Sequence, residues 1–256
     1  MSAAASGTSR AAPLGRAIAA QLRVELRLTA RRGENLLAVA GIPAIVLVFF
    51  ASTAVVDVPG DLSVDFLLPG ALSLAVIAAG LVNLGIATAY ERSYGVLRRL
   101  GASPLGRPGL VAAKVGAVGA IVAIQVVILC AVAFLALGWR PPEGASLPIV
   151  VIALALGTVA FASLGLLLAG TLRAEATLAL ANGLFILAVV IGGVVVPTAA
   201  LPAPLAAIAD VLPAAALGDA LRVALGTVPA STGPFAVLAI WAVAASALAA
   251  RTFRWD

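Results

Sequence analysis

The sequence predicts an all-α integral membrane protein with six transmembrane helices. Three observations carry that expectation. Of the 256 residues, 63% are hydrophobic and only 11% charged, with a mean hydropathy of +1.17. A soluble domain carries roughly a quarter of its residues charged, so this chain has too little charge to cover a water-facing surface. Second, the apolar residues fall in uncharged runs, each long enough for the roughly 20 residues that a helix needs to cross the hydrocarbon core. Third, the Lys and Arg residues cluster at the ends of those runs and favour one side, which is the signature of membrane topology.

Residues 13–34 come before the first run and read as an interfacial helix. At about 100° per residue, Arg16, Arg23 and Arg27 share one side, and Leu14, Ile18 and Leu22 fall opposite. Such a helix lies along the inner leaflet with its Arg residues toward the headgroups. The segment does not read as a cleavable signal, because a polar, Arg-rich stretch precedes the first apolar run.

The uncharged run Leu36–Val56 holds the first span, 36–56, with Pro43 positioned to kink it. Phe66–Tyr90 holds the second, 66–90. Residues 91–107 then break the apolar pattern with Glu91, Arg92, Arg98, Arg99 and Arg107. Glu91–Leu100 reads as a short amphipathic helix, with Val96, Leu97 and Leu100 on an apolar face and Arg92 and Arg99 beside it. Two readings stay open from pattern alone: an apolar edge that seeks a protein partner, or a snorkelling basic loop that only fixes topology.

The runs Val115–Trp139 and Leu147–Leu172 place the third and fourth spans at 112–138 and 147–171. Ala176–Ala209 is too long for one crossing and too short for two, and its second half carries Pro197, Pro202 and Pro204. It reads as a fifth span over 176–196 followed by an irregular segment, 197–222. Val223–Ala250 holds the sixth span, 228–250.

Six spans put both termini on one side. That side holds 14 of the 16 Lys and Arg residues; the other holds Arg140 and Arg222 together with Asp57, Asp61, Asp65, Glu143, Asp210 and Asp219. The positive-inside rule therefore expects a multi-pass protein of the cytoplasmic membrane with both termini, and the 91–107 segment, in the cytoplasm.

The same composition excludes several functions. Basic residues gathered at span ends give no face for nucleic acid, despite a net charge of +5. There is no His, and the single Cys130 lies within an apolar run, so no Cys/His metal site or disulfide framework is expected. No nucleophile elbow and no phosphate-cradling loop occur; the only lysine, Lys114, is followed by Val115. No catalytic residues are expected, and ATP cannot be bound by that mechanism. No carboxylate lies in the middle of a span and no internal repeat is evident, which disfavours an ion-coupled carrier. The polar residues within spans are Asn83, Thr88, Gln125, Thr158, Ser163 and Asn182. In hydrocarbon they should face protein, either as glue between helices or, for Asn83, Gln125 and Asn182, as the lining of a pathway.

The stretch ERxxGxLRRLxxSPL, from Glu91 to Leu105, resembles the cytoplasmic loop after the second span of ABC-2 type permeases, the membrane subunits of a class of ABC exporters. The segment GGVVVPTAALPAPLAAIADVLPAAALGDALRVALG, residues 192–226, is similar to the family's proline-rich stretch before the last span, with Pro197, Leu201, Pro202, Leu205, Pro213, Asp219 and Arg222 in order. Arg31-Arg32-Gly33-Glu34-Asn35 resembles the entry to the first span in drug- and antibiotic-exporting members. The likeness spans essentially the whole chain.

The resemblance implies a permease that pairs with a second permease copy, identical or related, and with two ABC ATPase subunits. ATP and Mg would be held by the ATPase, with no cofactor in this chain. The loop after the second span would form a coupling helix seated in a groove of the ATPase. Glu91 would cap or brace it, Gly95 would lie within it, Val96, Leu97 and Leu100 would fill the groove, and Arg92, Arg98 and Arg99 would reach carboxylates on the ATPase. The prolines and leucines of 197–222 would build short re-entrant helices that cap the pathway from outside. Members export drugs, antibiotics or lipid-linked glycans. With 5% aromatic residues, the chain is expected to move a hydrophobic or amphipathic drug or lipid rather than a sugar chain. The rivals are an ion-coupled secondary transporter and a non-transporting membrane anchor or assembly factor for an ATPase.

Overall fold

The computed structural model describes residues 13–31, 33–53, 64–101, 106–193 and 197–252, and the side chains among them except those of 29–40, 99–101, 107 and 199. All regular structure among the described residues is helical. The sequence dictates that outcome. Ala and Leu are strong helix formers, and in lipid every backbone N–H and C=O must be bonded within its own helix.

Helix α1 (Leu14–Arg31) is followed by α2 (Gly33–Ser52), which contains Pro43. Next comes one long helix of 30 residues, Val64–Ser93. It consists of α3 (Val64–Ile77), a π-helical turn (Ala78–Leu84) and α4 (Gly85–Ser93). The short α5 (Val96–Gly101) leads to α6 (Gly106–Leu135) and α7 (Leu147–Thr171). After α8 (Ala174–Ile191) come α9 (Ala203–Ala209), α10 (Pro213–Ala224) and α11 (Gly233–Thr252). The helix expected over 112–138 begins at Gly106, so Lys114 sits about two turns inside it rather than at its start.

Five of the described helices are long and apolar enough to cross a membrane. The pair α9 and α10, bent by 77° across Asp210–Leu212, would make a sixth if counted as one crossing. In α2 the fully described apolar part is Gly41–Ser52.

The core forms around α3 and α7. Leu68, Leu72, Ile77 and Phe161 are buried there with Leu166, Leu217 and Leu238 from α7, α10 and α11. Close approach is made possible by small residues. A Cβ on Gly80, in the π turn, would lie 2.8 Å from the amide nitrogen of Ala162. One on Gly85 would lie 3.2 Å from the Cα of Gly165, and one on Gly165 would press on the carbonyl oxygens of Gly80 and Leu81. Backbone therefore meets backbone where the long helix widens into its π turn, the kind of local irregularity that tends to accompany function.

Side-chain hydrogen bonds tie the same helices. The hydroxyls of Ser163 in α7 and Ser246 in α11 lie 2.8 Å apart. Thr177 of α8 donates to the Leu168 carbonyl of α7 at 3.3 Å. At the end of the bundle away from α5, Trp139 Nε1 donates to Asp65 Oδ1 at 2.7 Å, pinning the turn after α6 to the start of α3.

Candidate functional site

The segment that joins the second and third spans is built from a helix that stops and restarts. Helix α4 ends at Ser93; Tyr94 N–H donates to the Tyr90 carbonyl and Gly95 N–H to the Arg92 carbonyl, each at 2.9 Å. Gly95 then takes φ +71°, a conformation open to glycine and strained for other residues. The turn redirects the chain into α5.

The two residues ahead of the turn hold it in place, and they do so on different neighbours. Glu91 Oε2 accepts from Lys114 Nζ of α6 at 2.7 Å. Lys114 also pairs with Glu25 Oε1 of α1 at 3.0 Å, and Gln21 Nε2 supports Glu25 at 2.9 Å. Lys114 is 1% exposed. A buried ammonium needs opposite charge and hydrogen-bond acceptors around it, and here two helices supply one carboxylate each. Arg92 donates instead to the carbonyl oxygen of Leu172, the residue that ends α7.

These contacts revise part of the expected arrangement. Arg92 is half-buried and bonded within the chain, so it is not a hand extended to an outside carboxylate. Leu97 is 0% exposed and belongs to the main core cluster, so it does not form a docking face. The exposed apolar surface of the segment is Tyr94, at 76%, and Val96, at 42%. Tyr94 stacks on Tyr90 with ring centroids 6.2 Å apart. Arg98 is exposed. The side chains of Arg99 and Leu100 lie outside the described residues.

On α1, Arg16, Arg23 and Arg27 are all exposed. Ile18 packs on the core, and Leu22 approaches α6 where a Cβ on Gly116 would lie 3.6 Å from its Cδ1. Leu14, Val24 and Leu28 remain exposed. The helix thus has three sides rather than two: one on α6, one apolar and open, one basic.

Asn83 is half-buried in the π turn, and Gln125 is buried in α6. Asn182 is exposed on α8, where its Nδ2 donates to the Leu178 carbonyl of its own helix at 2.8 Å. Asn182 therefore does not face the interior of this chain. Ser163 is an interhelical tie, as its bond to Ser246 shows.

The proline-rich stretch is a chain of helix starts. Pro197 precedes a 3-10 turn over Thr198–Ala200, Leu201 is half-buried, and Pro202 precedes α9, where Leu205 is exposed. Pro213 opens α10 as its first residue and is buried. A proline there forgoes only an N–H that the first helical turn leaves unbonded anyway. Arg222, from the far end of α10, is 6% exposed. It donates to Asp219 Oδ1 at 2.8 Å and to the Gly193 carbonyl, and its guanidinium lies 4.2 Å from the Phe66 ring centroid. One cation thereby joins α10, the end of α8 and the start of α3.

Sequence reasoning left Lys114 at the start of the third span and Arg222 at the end of the re-entrant segment, and missed the contacts that both make. A signal existed for each. Lys114 is the one lysine of the chain, followed by 25 residues without charge; Arg222 follows Asp219 by one helical turn inside an Ala- and Leu-rich stretch. Neither signal reveals the distant partners. No group of three or more metal-ligating side chains occurs among the described residues.

No curated protein matches this sequence. A family model does: the ABC-2 type transporter family matches residues 16–225, from α1 through the end of α10. That range takes in the turn at Gly95, the Lys114 cluster and the Arg222 anchor. The chain therefore belongs to the ABC-2 type transporter family, the permease components of ABC transporters.

Proposed function

We propose that this chain is the permease subunit of an ATP-driven exporter. It moves a hydrophobic or amphipathic compound, a drug, antibiotic or lipid, outward across the cytoplasmic membrane. A separate ABC ATPase, present in two copies, supplies the energy at its own ATP and Mg sites, and two permease copies enclose the path. Both termini are cytoplasmic, in line with the bias of basic residues. Helix α1 lies at the inner surface. The bent pair α9 and α10 re-enters from outside and caps the path.

The observation that carries this reading is the mounting of the 91–101 segment. Glu91 and Arg92 anchor it inside the bundle, to α1 and α6 on one hand and to the end of α7 on the other. Tyr94, Val96 and Arg98 stay exposed beyond it. A short helix that is firmly held at its root and open at its surface transmits a push from a partner into the spans. A loop that only set topology would have no need of such a root.

Purification of the tagged chain in mild detergent, assayed for a stoichiometric ATPase and for vanadate-sensitive ATP hydrolysis, tests the reading. Val96→Asp should release the ATPase while the permease stays folded. A chain that purifies alone in several detergents, and whose transport follows an ion gradient, would instead be a self-sufficient carrier.

A further inference from the structure

Helix α1 divides its surface by angle. At about 100° per residue, Arg16, Arg23 and Arg27 fall within about 40° of one another, and all three are exposed. Among the described residues none of them has a carboxylate within salt-bridge distance. Val24, Leu28 and Leu14 lie about 80–160° further round and are exposed as well. Ile18 and Leu22 take the side that meets the bundle. Glu25 lies beside them, about 180° from the basic edge, with its carboxylate 3.0 Å from Lys114 Nζ.

The open part of α1 thus runs from apolar to basic without a break. That gradient matches the step from acyl chains to headgroups. A free phosphate would meet the arginines alone and leave Val24 and Leu28 in water, whereas a lipid covers both edges. Three guanidinium groups without a carboxylate partner favour anionic headgroups over zwitterionic ones, and guanidinium takes phosphate oxygens in a bidentate grip.

The opposite edge of the same helix reaches the segment after the second span in two contacts. Glu25 holds Lys114, and Lys114 holds Glu91 at 2.7 Å. Glu91 stands in the last turn of α4, just ahead of the bend at Gly95. Lys114 is buried, so salt screens this relay far less than it screens the arginines.

We propose that α1 senses the charge of the inner leaflet and passes it to the 91–101 segment. Anionic lipid headgroups on Arg16, Arg23 and Arg27 hold α1 flat against the bundle, which keeps Glu25 on Lys114 and Lys114 on Glu91 and so steadies α5. In a zwitterionic leaflet the basic edge has no counter-charge, Glu25 draws away and the segment loosens. This inference rests on the proposed position of α1 at the inner surface and goes beyond it, because the lipid becomes a regulator of the joint. It does not need the ATPase.

The test uses the full-length chain in nanodiscs of phosphatidylcholine, alone or mixed with phosphatidylglycerol. Leu97→Cys, in a background lacking Cys130, reports loosening of α5, since Leu97 is 0% exposed. Its maleimide labelling should be about fivefold slower or more with phosphatidylglycerol present. Native mass spectrometry of the detergent-solubilised chain should show phosphatidylglycerol bound in preference to phosphatidylcholine. The triple variant Arg16→Gln, Arg23→Gln, Arg27→Gln should lose both the preference and the slowing. Glu25→Gln should keep the preference and lose the slowing, which separates the sensor from the relay. Ala89→Cys, buried on α4, serves as a second reporter if Leu97→Cys does not fold. Absence of a phosphatidylglycerol preference overturns the lipid site and the surface position with it. A preference without any change in labelling makes α1 a plain anchor and overturns only the regulation. Slowing that survives Glu25→Gln refutes the relay, and slowing by inorganic phosphate in phosphatidylcholine refutes the lipid as the ligand.

Discussion

Replacing Lys114 by Met removes the one cation between Glu25 and Glu91. The Lys114 side chain is 1% exposed, and its ammonium lies 3.0 Å and 2.7 Å from the two carboxylates. Removing one member of a fully buried ion pair costs about 3–5 kcal/mol, because the remaining charge stays behind. Here two carboxylates stay behind, and they face each other. The Glu91 side chain is 27% exposed, so water reaches it and reduces the loss. The expected destabilisation is about 2–3 kcal/mol, roughly 5–10 °C in unfolding midpoint for a chain of this size. The triple variant Glu25→Gln, Glu91→Gln, Lys114→Met removes all three charges and should recover most of that loss, since an apolar replacement of a buried ion pair is often near neutral. The assay is thermal unfolding of the purified protein in one detergent, followed by size-exclusion peak height. A Lys114→Met midpoint within about 1 °C of wild type, or a triple variant no more stable than the single one, would refute the clamp.

Leu97→Asp and Val96→Asp should separate folding from docking. The first buries a carboxylate in the core and should lower the yield of monodisperse protein; the second should leave the elution profile unchanged and abolish ATPase co-elution. Gly165→Ala should cost about 1–3 kcal/mol by forcing α7 from the π turn, measured as a lower unfolding midpoint. Arg222→Met should free the proline-rich stretch, so that a cysteine at Thr198, in a background lacking Cys130, reacts faster with a membrane-impermeant maleimide; an unchanged rate would deny Arg222 its anchoring role. Asn182→Leu should alter which compounds stimulate ATP hydrolysis while the complex stays assembled, and loss of assembly would instead make Asn182 part of a helix contact.

The helices were legible because lipid imposes a length and a polarity on each, and composition alone carries both. The break at Gly95 was not: Glu91–Leu100 reads as one amphipathic helix, whereas the helix stops at Ser93 and restarts at Val96 because Gly95 turns the chain through a positive φ. Nor was the facing of α5. A helix of six residues makes fewer than two turns, so Val96 and Leu97, about 100° apart, are equally good apolar candidates until the neighbours are known. The partners of Lys114 lie 89 and 23 residues away, and that of Arg92 lies 80 away. Local pattern says that a buried cation needs a carboxylate; it does not say which. The Gly80–Gly165 approach was hidden for the same reason, in a chain with 25 glycines.

Glu91 and Arg92 are consecutive on α4 and therefore leave the helix about 100° apart. One is tethered to α1 and α6, the other to the end of α7. Mechanically, α4 ends in a shaft with two tethers set at an angle. Twisting the shaft tightens one tether while slackening the other, whereas sliding it along its axis loads both at once. The joint can thus distinguish torque from thrust, and it routes the first to one side of the bundle and the second to both.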